Sequence, residues 1–287
     1  MRTCKLCHGN NISVIHKGTR DRKDIDVLRC DDCGLVFLSG IATDDSYTDI
    51  YTDSQMRGRI EFVKWRENTY ADDYRRFKRY EKFMQGKSIL DFGCGNGGFL
   101  ELLTRQDKTR QVVGVDLDAE AVKIINSSGI ECYRSISELS EVKFDIVFMF
   151  HIIEHLPKPT LILNELFEHM ANDGVIVIET PNADDALLSV YKCKEFADFT
   201  YWSLHIYLYN ENTLTRLIES AGCKVVSIEQ EQRYPLANHL CWLSCGLPGG
   251  GVQRYQELNV PELNEAYAKV LSSQKTCDTI TCTIRRP

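Results

Sequence analysis

The chain has 287 residues, 43% of them hydrophobic and 26% charged, so it can bury a full core and does not have the composition of a disordered protein. A formal net charge of −7 argues against a nucleic-acid backbone as partner, because phosphate recognition normally leaves a basic footprint. No stretch has the apolar length of a membrane span, and the opening Met1-Arg2-Thr3-Cys4-Lys5-Leu6-Cys7 has no signal-peptide core, so no membrane span and a cytoplasmic location are expected.

Twelve cysteines suggest disulfides only in an exported chain; here metal ligation or burial is the better expectation. Cys4-Lys-Leu-Cys7 and Cys30-Asp-Asp-Cys33 bring four thiols into two tight turns, which predicts a zinc ribbon over residues 1–40. The 22 residues between the pairs slightly exceed the usual interval, and His8 and His16 are substitute ligands. A redox C-x-x-C would need a strand before it and a helix after it. A closed four-thiolate Zn²⁺ site has no open position, so this metal is structural.

Residues 41–84 read as a helical linker. Lys64, Arg66, Arg75, Arg76, Lys78, Arg79 and Lys82 crowd it, interleaved with Glu61, Asp72, Asp73 and Glu81, the pattern of a solvated helix face.

From Ser88 onward, apolar runs alternate with helix-period segments, which predicts an α/β fold with a wound sheet. Seven strands are expected, at 88–91, 112–117, 131–134, 144–150, 174–180, 223–230 and 277–286. Between them Phe99/Leu102/Leu103, Ile162/Leu163/Leu166/Phe167/Met170 and Leu214/Leu217/Ile218/Ala221 recur at helical spacing as core stripes.

The first strand runs into Asp91-Phe-Gly93-Cys94-Gly95-Asn-Gly97-Gly98, where glycines permit positive φ and close approach of a ligand to the backbone at a helix N-terminus. The next strand ends at Asp116, placed to accept hydrogen bonds from a ribose. Gly93, Gly95 and Gly98 also satisfy the dinucleotide fingerprint, so the glycines alone do not separate NAD from other adenosine ligands.

Asp91-x-Gly93-x-Gly95-x-Gly97 resembles motif I of the class I S-adenosylmethionine-dependent methyltransferases, and Gly114-Val-Asp116-Leu-Asp118 resembles motif II. Phe144 to Phe150, followed by His151-Ile-Ile-Glu154-His155-Leu156, is similar to the fourth-strand motif, and Gly174 to Asn182 and Ala221-Gly222-Cys223 resemble later segments. The resemblance covers about 84–287. It implies a Rossmann-like, mostly parallel sheet with an antiparallel last strand. It implies S-adenosylmethionine as cofactor, with Asp91 and Gly97 in the binding turn and Gly93, Cys94 and Gly95 passing its methionine end. Asp116 would hold the ribose, Leu117 would pack on the adenine, Ser135 and Ile136 would sit at its far edge, and Phe150 and His151 would border the site. Tyr47 and Tyr51 resemble tyrosines folded over the cofactor. Arg66 or Arg75 is a candidate partner for the cofactor's carboxylate, with a surface ion pair as the plainer reading.

Methyl transfer is an in-line displacement that needs alignment and removal of the acceptor's proton, so a base near neutral pKa suits a hydroxyl acceptor. His151, at the carboxyl end of the fourth strand, is a candidate base. His155 is another, although a hydrogen-bonding role in the loop is the plainer account. The same residues match the H-x-x-E-H protease signature, but that needs one stable helix, which Pro157 and Pro159 would end.

An aromatic-rich segment with Tyr191, Phe196, Phe199, Tyr201, Trp202, Tyr207 and Tyr209 predicts an inserted lid at about 184–210, with His205 as a further candidate base. The stretch 241–251 reads as a loop. The expected organisation is a zinc ribbon (1–40), a helical linker and cofactor cover (41–84) and a methyltransferase domain (85–287). A ribbon joined to this fold resembles bacterial sugar methyltransferases, which implies a small-molecule or glycan acceptor and carbohydrate modification. The alternatives are an RNA methyltransferase whose ribbon grips the nucleic acid, and a non-catalytic cofactor-binding partner protein.

Overall fold

The computed structural model describes residues 3–40, 59–105, 109–139, 142–248 and 254–287, and Tyr47 and Tyr51 lie outside them. The chain begins with an antiparallel meander of β1 (Ile12–His16), β2 (Val27–Cys30) and β3 (Val36–Leu38). After α1 (Arg59–Tyr80) come β4 (Ser88–Phe92), α2 (Gly98–Arg105), β5 (Gln111–Val115), α3 (Ala119–Ser127), β6 (Glu131–Tyr133), β7 (Phe144–Phe150), α4 (Pro159–Glu168) and β8 (Met170–Pro181). The insertion contains α5 (Ala186–Ser189), α6 (Lys194–Thr200) and β9 (Tyr207–Leu208). It is followed by α7 (Glu211–Ser220), β10 (Lys224–Glu231), α8 (Leu236–Cys245), α9 (Pro261–Ser273) and β11 (Thr279–Arg285).

Seven strands make the central sheet in the order β6-β5-β4-β7-β8-β11-β10, parallel except for β11, which runs antiparallel to both its neighbours. Successive side chains of a strand face opposite ways, and β7 shows the consequence. Ile146, Phe148 and Phe150 pack with Phe77 of α1 and with Phe99 and Leu103 of α2, whereas Val147 and Met149 pack with α4 and α7 on the other face.

The cysteine-bearing meander is sewn onto this core. Strand β9 pairs with β3, Val36 opposite Leu208 and Phe37 opposite Tyr207, making a four-stranded sheet. Leu28, Leu35 and Phe37 join the core beneath the insertion, so the expected lid is partly a strut.

Two expectations need correction. Cys241–Cys245 is the end of α8 and not a loop: Cys241 and Trp242 are buried, and Gly246 closes the helix in the left-handed region at φ 66°. The basic face of α1 is not simply solvated. Arg75 and Arg76 are mostly buried against Glu179 of β8, because that strand carries a carboxylate with no water to solvate it.

Candidate active site

At the end of β4 the turn places Gly93, Gly95 and Gly97 at φ of 80°, 53° and 70°, conformations that other L-residues rarely adopt. The amides of Gly93 and Cys94 donate to the carbonyl of Val115 at 2.7 and 3.1 Å, holding the turn against β5. Gly95 N donates to Asp116 Oδ2 (2.8 Å) and Asp118 N to Oδ1 (2.9 Å), so the Asp116 carboxylate is aimed by backbone donors. Burial nevertheless pushes its pKa up to about 6. Asp91 is also buried, and burial together with the charge of Asp73 raises it to about 8.

Above this turn lies a cavity of about 220 Å³ lined by Gly93, Asp116, Leu117, Ser135, Ile136 and His151, among others. It has the features an adenosine ligand needs: a glycine wall, a carboxylate for a ribose and apolar side chains for a base. A Cβ at Gly93 would stand 2.0 Å from Ile152 Cδ1, so the wall has no room for a side chain. Cys94 lies behind the turn with its Sγ 3.6 Å from that of Cys132, and burial with that contact raises its thiol pKa. Phe150 packs in the aromatic cluster with Phe99 and Phe148, under the Arg76 guanidinium at 4.6 Å. Arg66 donates to the Asn96 carbonyl at 2.8 Å and pairs with Glu101 at 2.7 Å.

The three candidate bases meet beside the cavity. His151 is a non-glycine residue at φ 56°, held at the end of β7 by its amide donating to Glu179 O at 2.7 Å. Arg233 Nη1 lies 2.9 Å from His151 Nε2, which must therefore accept and leave the ring proton on Nδ1, 3.3 Å from Glu154 Oε1. His155 Nδ1 is 2.8 Å from Leu204 O; a carbonyl only accepts, so this ring's proton is on Nδ1 and its lone pair on Nε2. The His155 and His205 rings stand 4.9 Å apart. Burial lowers the pKa of His205 to about 3 and that of His155 below its ordinary value. Glu154 is fully buried, yet the His151 contact outweighs burial and brings it to about 2. His151 to His155 form a bend and a single 3-10 turn ending at Leu156, which excludes the one-helix geometry of the protease signature.

A second cavity of about 260 Å³ adjoins the first and shares His151; its walls include His205, Arg233, Asn238, Phe196 and Trp242. Phe196 and Phe199 of the insertion pack on Trp242 of α8, whereas Tyr201, Tyr207 and Tyr209 are buried in the core. Below His151, Arg75 Nη2 reaches both oxygens of Glu179 at 2.9 and 2.8 Å, and Arg76 reaches Oε1 at 2.7 Å. These cations overcome burial and hold the Glu179 carboxyl well below its usual range. The sequence marks Glu154 only as a member of the motif from His151 to Leu156 and gives no role to Glu179 or Arg233. A charged residue inside the apolar run Val175 to Thr180 was a usable signal for Glu179, whereas nothing near Arg233 in the sequence marks it.

The four N-terminal thiols converge, Cys4 Sγ 3.7 Å from Cys33 Sγ and Cys7 Sγ 3.5 Å from Cys30 Sγ. Sulfurs on a tetrahedral zinc with bonds of about 2.3 Å lie ~3.8 Å apart, so the donor set fits that ion. The amides of Leu6 and Gly9 donate to Cys4 and Cys7 Sγ at 3.4 Å, supporting thiolates. His16 instead bridges Gly18 O and Asp198, at 2.9 and 3.0 Å.

Comparison with known proteins agrees with this geometry. The methyltransferase domain family matches residues 62–228. A Mycolicibacterium smegmatis protein named "Probable S-adenosylmethionine-dependent methyltransferase" is 27% identical over 167 residues, 52% of this chain and 59% of its own length. The ubiquinone biosynthesis O-methyltransferase of Psychrobacter arcticus is 28% identical over 117 residues, 37% of this chain and 45% of its own. The chain thus spans about half the length of the curated relatives it matches. An S-adenosylmethionine-dependent methyltransferase of Archaeoglobus fulgidus superposes with a TM-score of 0.51 at 20% identity, covering 84% of this chain and all of that one, which shows a shared fold. No helix among the described residues is long and apolar enough to cross a membrane. With the glycine turn, the Asp116 carboxylate beside it and the seven-stranded sheet in place, the chain belongs to the methyltransferase domain family of class I S-adenosylmethionine-dependent methyltransferases.

Proposed function

We propose that this protein transfers a methyl group from S-adenosylmethionine to a hydroxyl, or secondarily an amine, of a small acceptor, and that the acceptor is a nucleotide-linked or polysaccharide-bound sugar. The observation that carries this reading is the meeting of two cavities at His151, on the carboxyl-terminal edge of the sheet. In it, Gly93 and Gly95 form the wall for the methionine end, the buried Asp91 carboxyl stands behind them, and Asp116 takes the ribose. Leu117, Ser135 and Ile136 enclose the base. The bound cofactor supplies an electrophilic methyl on a sulfonium. The neighbouring cavity combines aromatic Phe196 and Trp242 with Asp185, Asn238, Arg233 and His239, a mixture that suits the apolar faces and hydroxyls of a sugar ring.

Among the candidate bases only His151 lines both cavities, so we assign it the acceptor's proton. Its Nε2 now accepts from Arg233, and an acceptor hydroxyl has to displace that guanidinium. His205, with its pKa lowered to about 3, is a poor proton acceptor near neutral pH. The four thiols hold a structural Zn²⁺, and residues 41–84 serve as linker and cover. Incubation with methyl-labelled cofactor and a panel of sugar nucleotides and glycans should label at least one sugar. His151→Gln should lower kcat while leaving cofactor affinity intact. Label reaching only non-carbohydrate hydroxyls would refute the sugar, and label reaching no acceptor, with the cofactor still bound, would favour a non-catalytic partner.

A further inference from the structure

We infer that Glu154, His155 and His205 form a second metal site, for a divalent transition-metal ion, at the junction of the two cavities. Each side chain offers a ligand atom, and the three atoms lie within 4.8 Å of one another. Ligands bound to zinc at about 2.0–2.2 Å are separated by roughly 3–4 Å, so small side-chain movements close the site. Among the described residues His205 Nδ1 is a buried atom without a hydrogen-bond partner, an arrangement that native interiors avoid and that a cation would satisfy, and Glu154 Oε1 is met by His151 Nδ1 at 3.3 Å.

The surroundings are those of metal ligands. The Leu204 carbonyl accepts from His155 Nδ1 and holds that ring, while Thr180 Oγ1 donates to Glu154 Oε2 at 3.0 Å and orients the carboxylate. Two imidazoles and one carboxylate make the ligand set of catalytic zinc sites that keep a position open. This set is harder than the four thiolates of the ribbon and selects a different range of ions. His155 borders the cofactor cavity and His205 the neighbouring one, so the open position falls between them. One consequence rests on the proposed methyl transfer: an acceptor oxygen bound to the ion would lose its proton more easily.

Counting metal does not depend on turnover, so failure of this site and failure of the methyltransferase reading can be told apart. Full-length protein equilibrated with excess Zn²⁺ and desalted should carry two equivalents by mass spectrometry. His205→Ala and Glu154→Gln should each carry one. With Co²⁺ as probe, the thiolate charge-transfer band of the ribbon should remain in both variants, which also reports that they are folded. A wild-type protein holding a single equivalent, or variants that still hold two, would overturn the inference. Should the variants fail to fold, the wild-type count decides alone.

Discussion

The two cavities that meet at His151 are built in opposite ways. The one above β4 and β5 is drawn from one half of the sheet: the glycine turn, the end of β5, the loop after β6, the segment after β7 and α4, all within residues 92–165. The other takes His151 from the end of β7, residues from after β8, His205 from the insertion, Arg233 and Trp242 from after β10, and Asp278 from before β11. Their electrostatics differ as well. Asp91 and Asp116 have no neighbouring cation strong enough to offset burial and are raised, to about 8 and about 6, whereas Glu179 is held down by Arg75, Arg76 and His151. The first site is a backbone cradle with uncompensated acid, which suits a cationic cofactor; beneath His151, where the cavities meet, Glu179 and its arginines form a charge-balanced network that holds distant elements together.

The contrast can be broken most forcefully at Glu179. Glu179→Ala removes the fully buried carboxylate that Arg75 and Arg76 share, leaves them only Asp72, Asp73 and Glu231, and should cost about 3 kcal/mol in chemical denaturation. If the loss were below about 1 kcal/mol, as for an exposed pair, the network would not be the tie between α1 and the sheet. On the other side, Gly93→Val combines a left-handed backbone with a Cβ pressing on Ile152, and should weaken S-adenosylhomocysteine binding by roughly a hundredfold, about 3 kcal/mol, in calorimetry. Unchanged affinity would show that the cradle does not hold the ligand. Asp116→Asn keeps the shape but weakens acceptance from ribose hydroxyls, and about a tenfold loss is expected, roughly 1.4 kcal/mol.

The smallest effect is the pH response. On the role proposed for Asp116, its ionised form is the stronger acceptor for a ribose hydroxyl, so cofactor affinity should fall as pH drops through about 6 and be level above it. The stability sign is the reverse. A carboxyl raised on folding contributes fully below its ordinary value, and that contribution is lost as pH rises through the folded pKa. For Asp91 this means that the ligand-free protein loses a few degrees of Tm as pH rises toward about 8, and the loss should be absent in Asp91→Asn. Equal pH slopes for the two proteins would show that Asp91 is ionised throughout.

Much of the fold was legible because its signals are local. β7 occupies the expected Phe144–Phe150, and the other six sheet strands overlap their expected ranges, since a buried strand is a short apolar run whatever it pairs with. The cysteine pairs and the glycine turn were likewise contiguous patterns. Two readings failed because the deciding partner was remote. The arginines of α1 look like a solvated face until Glu179, about a hundred residues later, is brought beneath them. The end of α8 looked like a loop because Cys245-Gly-Leu-Pro-Gly carries breaker residues, while Trp242 is held in the helix by Phe196 and Phe199 of the insertion.

By itself the sequence determined the order of the seven sheet strands, the thiol cluster and the glycine turn, because each follows from the chemistry of neighbouring residues. Tertiary structure alone decided that β9 completes the ribbon's sheet, that Arg233 faces His151, and that His205 stands beside Glu154 and His155. These contacts join segments about 50 to 170 residues apart, and no local propensity encodes a partner at that distance. Packing of the whole core selects it.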